Sequence, residues 1–170
     1  MKIAVTGYSG SGKSTLAGKL SKKYDIPVLY IDTIQFLPGW VERSGDEKKT
    51  LMAEFLDTHD SWVIDGNYQK LSFDRRMEEA DKIIFLAFNR FSCSYRALKR
   101  YFTYKGKTRE SITEGCQEKM DWEFFKWVFY KGRTKERRSA FYDAVKKYSD
   151  KSVVIKNQRQ LNRFEKEMGI

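Results

Sequence analysis

The residues Gly7-Tyr8-Ser9-Gly10-Ser11-Gly12-Lys13-Ser14 fit the pattern G-x-x-x-x-G-K-S/T, and Thr15 follows. Such a stretch is suited to holding phosphate. Its glycines let backbone N–H groups turn inward around phosphate oxygens. A helix beginning near Lys13 adds the positive end of its dipole. Lys13 reaches the β- and γ-phosphates, and the Ser14 hydroxyl is placed for Mg²⁺. Gly7, Ser9, Gly10, Ser11, Gly12, Lys13, Ser14 and Thr15 are therefore the candidates for holding ATP. The plainer reading is a glycine-rich turn. An apolar strand before the motif and a helical stretch after it favour the phosphate loop.

Two acids stand where they would face such a loop. Asp65 closes Trp62-Val63-Ile64-Asp65 and precedes Gly66. An acid at a strand's carboxyl end beside the loop holds the Mg²⁺ shell; a simple Asp-Gly turn is the alternative. Asp32 ends Leu29-Tyr30-Ile31-Asp32. Its candidate role is to orient an acceptor hydroxyl together with Trp40 and Tyr68, or to touch the metal shell, against a cap or turn residue. Phosphoryl transfer also needs cations around the developing charge. Arg90, Arg96 and Arg100 follow an apolar strand, and the last two share a helix face at i,i+4. Arg133, Arg137 and Arg138 open a later helix. Arg96 is a candidate for the nucleotide, and Arg100 and Arg137 for catalysis, each against a solvated-surface reading. His59 reads as a surface or capping residue. The dense aromatics between Trp122 and Phe129 read as core before base-stacking platform.

These side chains need a scaffold. Apolar strands are expected at 2–6, 28–31, 61–65, 82–88 and 152–156. Helices are expected near 14–24, 46–58, 73–80, 91–103, 120–130, 135–148 and 159–168, with 33–45 as a loop. The strand at 28–31 is fully apolar and is expected to be buried on both faces. Short apolar strands separated by helices predict an α/β fold with a parallel sheet. The helical stretch between the last two strands exceeds one crossover. It reads as a lid-like insertion over about 101–138 within one domain, 1–170.

Composition narrows the partners. The chain has 170 residues, 33 basic, 23 acidic and one His, for a net charge of +10. That field favours nucleotides, nucleic acid or acidic lipid. An aromatic fraction of 15% argues against disorder. The longest apolar run, Ile83–Phe88, is too short to span a bilayer, and no signal peptide pattern opens the chain. A cytoplasmic protein without a membrane partner is expected. Cys93 and Cys116 have no metal spacing with His59 and read as free thiols.

Taken together, these segments resemble the adenylate-kinase-like nucleoside monophosphate kinases. They are also similar to the bacterial family labelled DNA-topology modulation proteins. The likeness to the second runs through Tyr30-Ile31-Asp32, Leu37-Pro38-Gly39-Trp40, Trp62 to Tyr68, Gly115-Cys116-Gln117-Glu118 and Glu123 to Val128. The resemblance implies a three-layer P-loop NTPase fold with sheet order 2-3-1-4-5. It implies Mg²⁺ at Asp65, and Arg96 and Arg100 as a paired-arginine helix beside the lid. The kinases continue the Asp-Gly segment with Phe-Pro-Arg, whose Arg binds the acceptor phosphate. This chain has Asn67-Tyr68-Gln69, which leaves Arg75 or Arg76 as the substitute.

Two functions follow as expectations. The first is an ATP-dependent kinase acting on a small, nucleotide-like acceptor. The second is a nucleic-acid-binding protein that uses ATP as a switch, drawn from the charge and from Lys131 to Arg138. A homodimer is compatible with either.

Overall fold

A computed structural model describes residues 1–118 and 121–170. Five strands form one parallel sheet: β1 (Lys2–Gly7), β2 (Val28–Tyr30), β5 (Trp62–Asp65), β6 (Lys82–Leu86) and β7 (Ser152–Ile155). Their order is β2-β5-β1-β6-β7. This is the expected 2-3-1-4-5 arrangement once only the sheet strands are counted. β1 lies between β5 and β6, with Val5 paired to Asp65 on one side and Gly7 to Leu86 on the other.

Strand alternation divides the core in two. Ile3, Val5, Val63 and Ile84 face α1 (Lys13–Tyr24) and α8 (Gln158–Met168), meeting Leu16, Leu20, Leu161 and Phe164. Ala4, Trp62, Ile64 and Ile83 face α3 (Gly45–Thr58) and α4 (Phe73–Glu79), meeting Met52, Leu56 and Met77. Phe85 stacks on Phe141 of α7 (Lys135–Lys147), with ring centroids 5.1 Å apart. Helices on both faces of a parallel sheet make the three-layer α/β architecture.

Four expectations are corrected. β2 ends at Tyr30, and Ile31–Gln35 is a short helix, α2, so Asp32 lies in a helix's first turn rather than at a strand end. β2 is the edge strand, with Val28 and Leu29 only half-buried. The expected loop over 33–45 contains a two-residue hairpin, β3 (Phe36–Leu37) with β4 (Val41–Glu42). The aromatic helix, α6 (Trp122–Phe129), buries only Val128 fully, and Trp122 is 66% exposed. The expected start of that helix at Met120, and the part of the insertion at 119–120, lie outside the described residues. α5 (Arg90–Tyr104) and α6 precede α7 along the segment between β6 and β7.

Candidate functional site

The loop after β1 wraps the N-terminus of α1. Gly10 has φ +78°, and a Cβ there would collide with the Cys93 carbonyl of α5. Gly12 has φ +97° and caps α1, and a Cβ there would sit 3.1 Å from an Arg96 nitrogen. A side chain at Gly10 would force the loop open, and one at Gly12 would strain the backbone and push Arg96 aside. Lys13 folds back, its Nζ donating to the Tyr8 carbonyl at 3.2 Å.

The register of β1 against β5 brings Asp65 to this loop. The Ser14 hydroxyl donates to Asp65 Oδ2 at 2.6 Å. Asp65 Oδ1 is buried without a hydrogen-bond partner. Burial pushes the Asp65 carboxyl up to about 6, against the opposing pull of Lys13 and the Ser14 hydroxyl. An orphaned carboxylate oxygen beside a hydroxyl fits Mg²⁺, which takes one or two carboxylates and completes its shell with water and phosphate. Ser14 and Asp65 are the residues that would hold it. Among the described residues there is no larger acidic or histidine cluster.

Asn67 binds the first glycine of the loop on both sides. Its Oδ1 accepts from the Gly7 N–H at 2.8 Å, and its Nδ2 donates to the Gly7 carbonyl. The pair extends the β1–β5 ladder by one side-chain rung. In the sequence Asn67 stood out only as a departure from Phe-Pro-Arg; its role needs the sheet order to be seen. Next to it, the hydroxyl of the half-buried Tyr68 donates to Asp32 Oδ1 at 2.8 Å. Burial first, then the Asp32 carboxylate, hold the Tyr68 phenol above its ordinary value.

Arg76 does not face the crevice. It is fully buried, and its guanidinium donates to the carbonyls of Leu71, Gly66 and Tyr68. It shapes the β5–α4 turn, and the expectation that it binds an acceptor phosphate is corrected. Arg75 is also engaged, with Asp57 and Glu79 at the surface.

The other arginines divide into two groups. Arg96 donates to the Ser11 carbonyl at 2.9 Å and to Gln158, and lies 4.2 Å over the Phe88 ring. Arg137 sits 4.6 Å over the Trp127 ring, whose indole N–H donates to Ser9 Oγ at 3.1 Å. Both therefore border the phosphate loop. Arg100 and Arg109 each donate through Nε to the nearly buried Glu118 carboxylate, at 2.7 and 2.6 Å. Burial first, then the neighbouring Arg109, depress the Arg100 pKa, and Glu118, then Asp32, oppose them. Arg109 is not among the candidate residues, and Glu118 enters the sequence reading only within the Gly115–Glu118 likeness, since their pairing bridges a loop.

The insertion is docked on the α2–β4 segment. Thr113 Oγ1 lies 3.1 Å from the Thr33 carbonyl and 2.5 Å from that of Phe36. The Trp40 indole donates to the Gln117 carbonyl at 2.9 Å, and Cys116 Sγ to that of Leu37 at 3.3 Å. Trp40 thus joins two walls of the crevice.

No family model and no curated protein matches the sequence. Solved structures do match in shape. A deoxyadenosine kinase from M. mycoides is 14% identical over 99% of both chains, with a TM-score of 0.51. A gluconokinase from Sinorhizobium meliloti 1021 is 16% identical over 99% of this chain and 95% of its own, also at 0.51. The fold is that of the P-loop kinases. The DNA-topology modulation label finds no support in these comparisons. Among the described residues, no helix is long and apolar enough to cross a membrane.

Proposed function

We propose that the chain is an ATP-dependent phosphotransferase acting on a small hydroxyl-bearing acceptor. The observation that carries this is the Ser14–Asp65 pair, with its free buried carboxylate oxygen, set beside Lys13 on the phosphate loop. Residues 1–170 act as one catalytic unit, with 101–138 as its lid. The loop amides and Lys13 bind the β- and γ-phosphates, helped by Arg96. Bound Mg²⁺, held by Ser14 and Asp65, would neutralise phosphate charge. Asp32, oriented by the Tyr68 hydroxyl, accepts the proton of the attacking hydroxyl. Arg100 and Arg137 stabilise the charge spread over the transferring group.

An alcohol acceptor fits this site better than a nucleoside monophosphate. The position that carries the phosphate-binding arginine in monophosphate kinases is Gln69 here, and Arg76 is committed to three carbonyls. The similar solved structures bear the names of kinases for a nucleoside and for gluconate. The nucleic-acid reading loses ground because Arg133 of the basic run turns inward and the exposed Arg137 lies on a ring of the protein itself. Arg133 donates to the Val128 and Phe88 carbonyls, and Arg137 covers Trp127.

The test is ADP release from Mg-ATP with a panel of nucleosides, sugars, sugar acids, nucleoside monophosphates and short DNA. Release is expected with one hydroxyl class only and should fall at least ~100-fold in Lys13→Ala. Release with DNA alone, or independent of any acceptor, would overturn the assignment.

A further inference from the structure

The surface of α5 carries an apolar stripe with no cover. Phe91, Tyr95, Leu98 and Phe102 are 71, 68, 39 and 72% exposed. Their spacing is four, three, four, the repeat that keeps a seam straight between two paired helices. Tyr95, Leu98 and Phe102 line a shallow groove of about 530 Å³. The opposite face of the helix is spent on the protein's own interior, through Cys93, Ser94 and Ala97.

The stripe continues onto α6. The Phe91 ring meets Phe129 at 5.4 Å, Phe129 stacks on Phe125 at 5.7 Å, and Phe125 on Trp122 at 5.5 Å. Tyr130, 62% exposed, adjoins Phe129 at 4.8 Å. An aromatic side chain presents ~150–250 Å². The exposed parts of this patch therefore amount to roughly 600 Å² per chain, the upper end for a monomer's largest apolar patch. Doubled, that reaches the ~1,200 Å² at which specific protein interfaces begin.

We propose that this face is covered by a second copy of the chain, with the two α5 helices packed antiparallel about a two-fold axis. The stripe is self-complementary in that direction. Phe91 opposes the second copy's Phe102, and Tyr95 opposes its Leu98, in both halves at once, as a two-fold contact requires. Charge selects the same direction. A parallel pair would set Lys99 against Lys99 and Arg90 against Arg90, with no acid on the stripe to relieve them. The antiparallel pair levels Lys99 with Ser94 and Arg90 with Thr103. α6 of each chain then extends the contact toward the partner's Phe102 end.

Sedimentation of the 170-residue chain at micromolar concentration tests this. The expected species has twice the chain mass of 20.1 kDa. Leu98→Glu, at a half-exposed position outside the catalytic site, should halve the mass while leaving the circular dichroism unchanged. Mild oxidation should cross-link Phe91→Cys/Phe102→Cys into a covalent dimer. Phe91→Cys alone and the parent, whose Cys93 and Cys116 are free and buried, should stay uncross-linked. A 20.1 kDa species at every concentration would overturn the proposal. So would a larger mass that disappears on nuclease treatment, an unchanged mass in Leu98→Glu, or cross-linking by Phe91→Cys alone.

Discussion

Asp65 carries a cost that a bound cation can offset. Burial raises its carboxyl to about 6 from an ordinary 3.8. Between those values the folded chain keeps a proton that the unfolded chain has lost. Stability therefore falls as pH rises through the window and stays reduced above it. Asp65→Asn removes that titration. Without Mg²⁺ or nucleotide, its stability relative to the parent should rise by about 2–3 kcal/mol between about pH 4 and about pH 7. Denaturant unfolding across that range measures it, and a flat difference would mean that Asp65 ionises as freely as a surface acid. Both the loop and Asp65 were legible in the sequence, because spacing and a strand's end mark them. Asn67 and Glu118 were not. Each acts on a partner distant in sequence, Gly7 for one and the Arg100–Arg109 pair for the other.

At the scale of elements, α4 and the insertion do different kinds of work. α4 holds Arg76 inside, where burial lowers its pKa to about 10 and leaves it charged at neutral pH. Arg76→Ala would strand three buried carbonyls and is expected to cost ~3–5 kcal/mol. Arg76→Lys should recover little of it, since an ammonium cannot reproduce the fork. Thermal melts read this directly; an intact melt with lost acceptor affinity would return Arg76 to the substrate. The insertion is held through Thr113, so Thr113→Val should loosen the crevice wall. The expected signature is a rise in KM for the acceptor of about 5–10-fold, as for the loss of one ordinary hydrogen bond, with KM for ATP unmoved. Equal changes in both would place Thr113 outside the acceptor side. The long strands and helices were readable from their apolar pattern. The β3–β4 hairpin was not, because two-residue strands carry no period. α6 misled for the opposite reason: its aromatics are dense enough for a core, yet they cover α5 on one side and face outward on the other.

Across the whole molecule, a net charge of +10 surrounds a site whose cations converge on one loop. Anionic ligands should be drawn in faster than a neutral surface would allow, with the on-rate falling as salt shortens the screening length. Stopped-flow binding of Mg-ATP between low and physiological salt should show a several-fold drop in on-rate and a smaller change in off-rate. A salt-independent on-rate would confine the charge to solubility.

Trp127 gives the molecule an optical gauge of its own phosphate loop. Its indole N–H is tied to Ser9, and the Arg137 guanidinium lies on its ring. A phosphate arriving at the loop competes for both groups at once. The emission of this one tryptophan should therefore shift when nucleotide binds and return when it leaves. Trp127→Phe should silence the change while Trp40, Trp62 and Trp122 continue to emit. Occupancy of the loop then becomes visible without an added dye and before any phosphate is transferred.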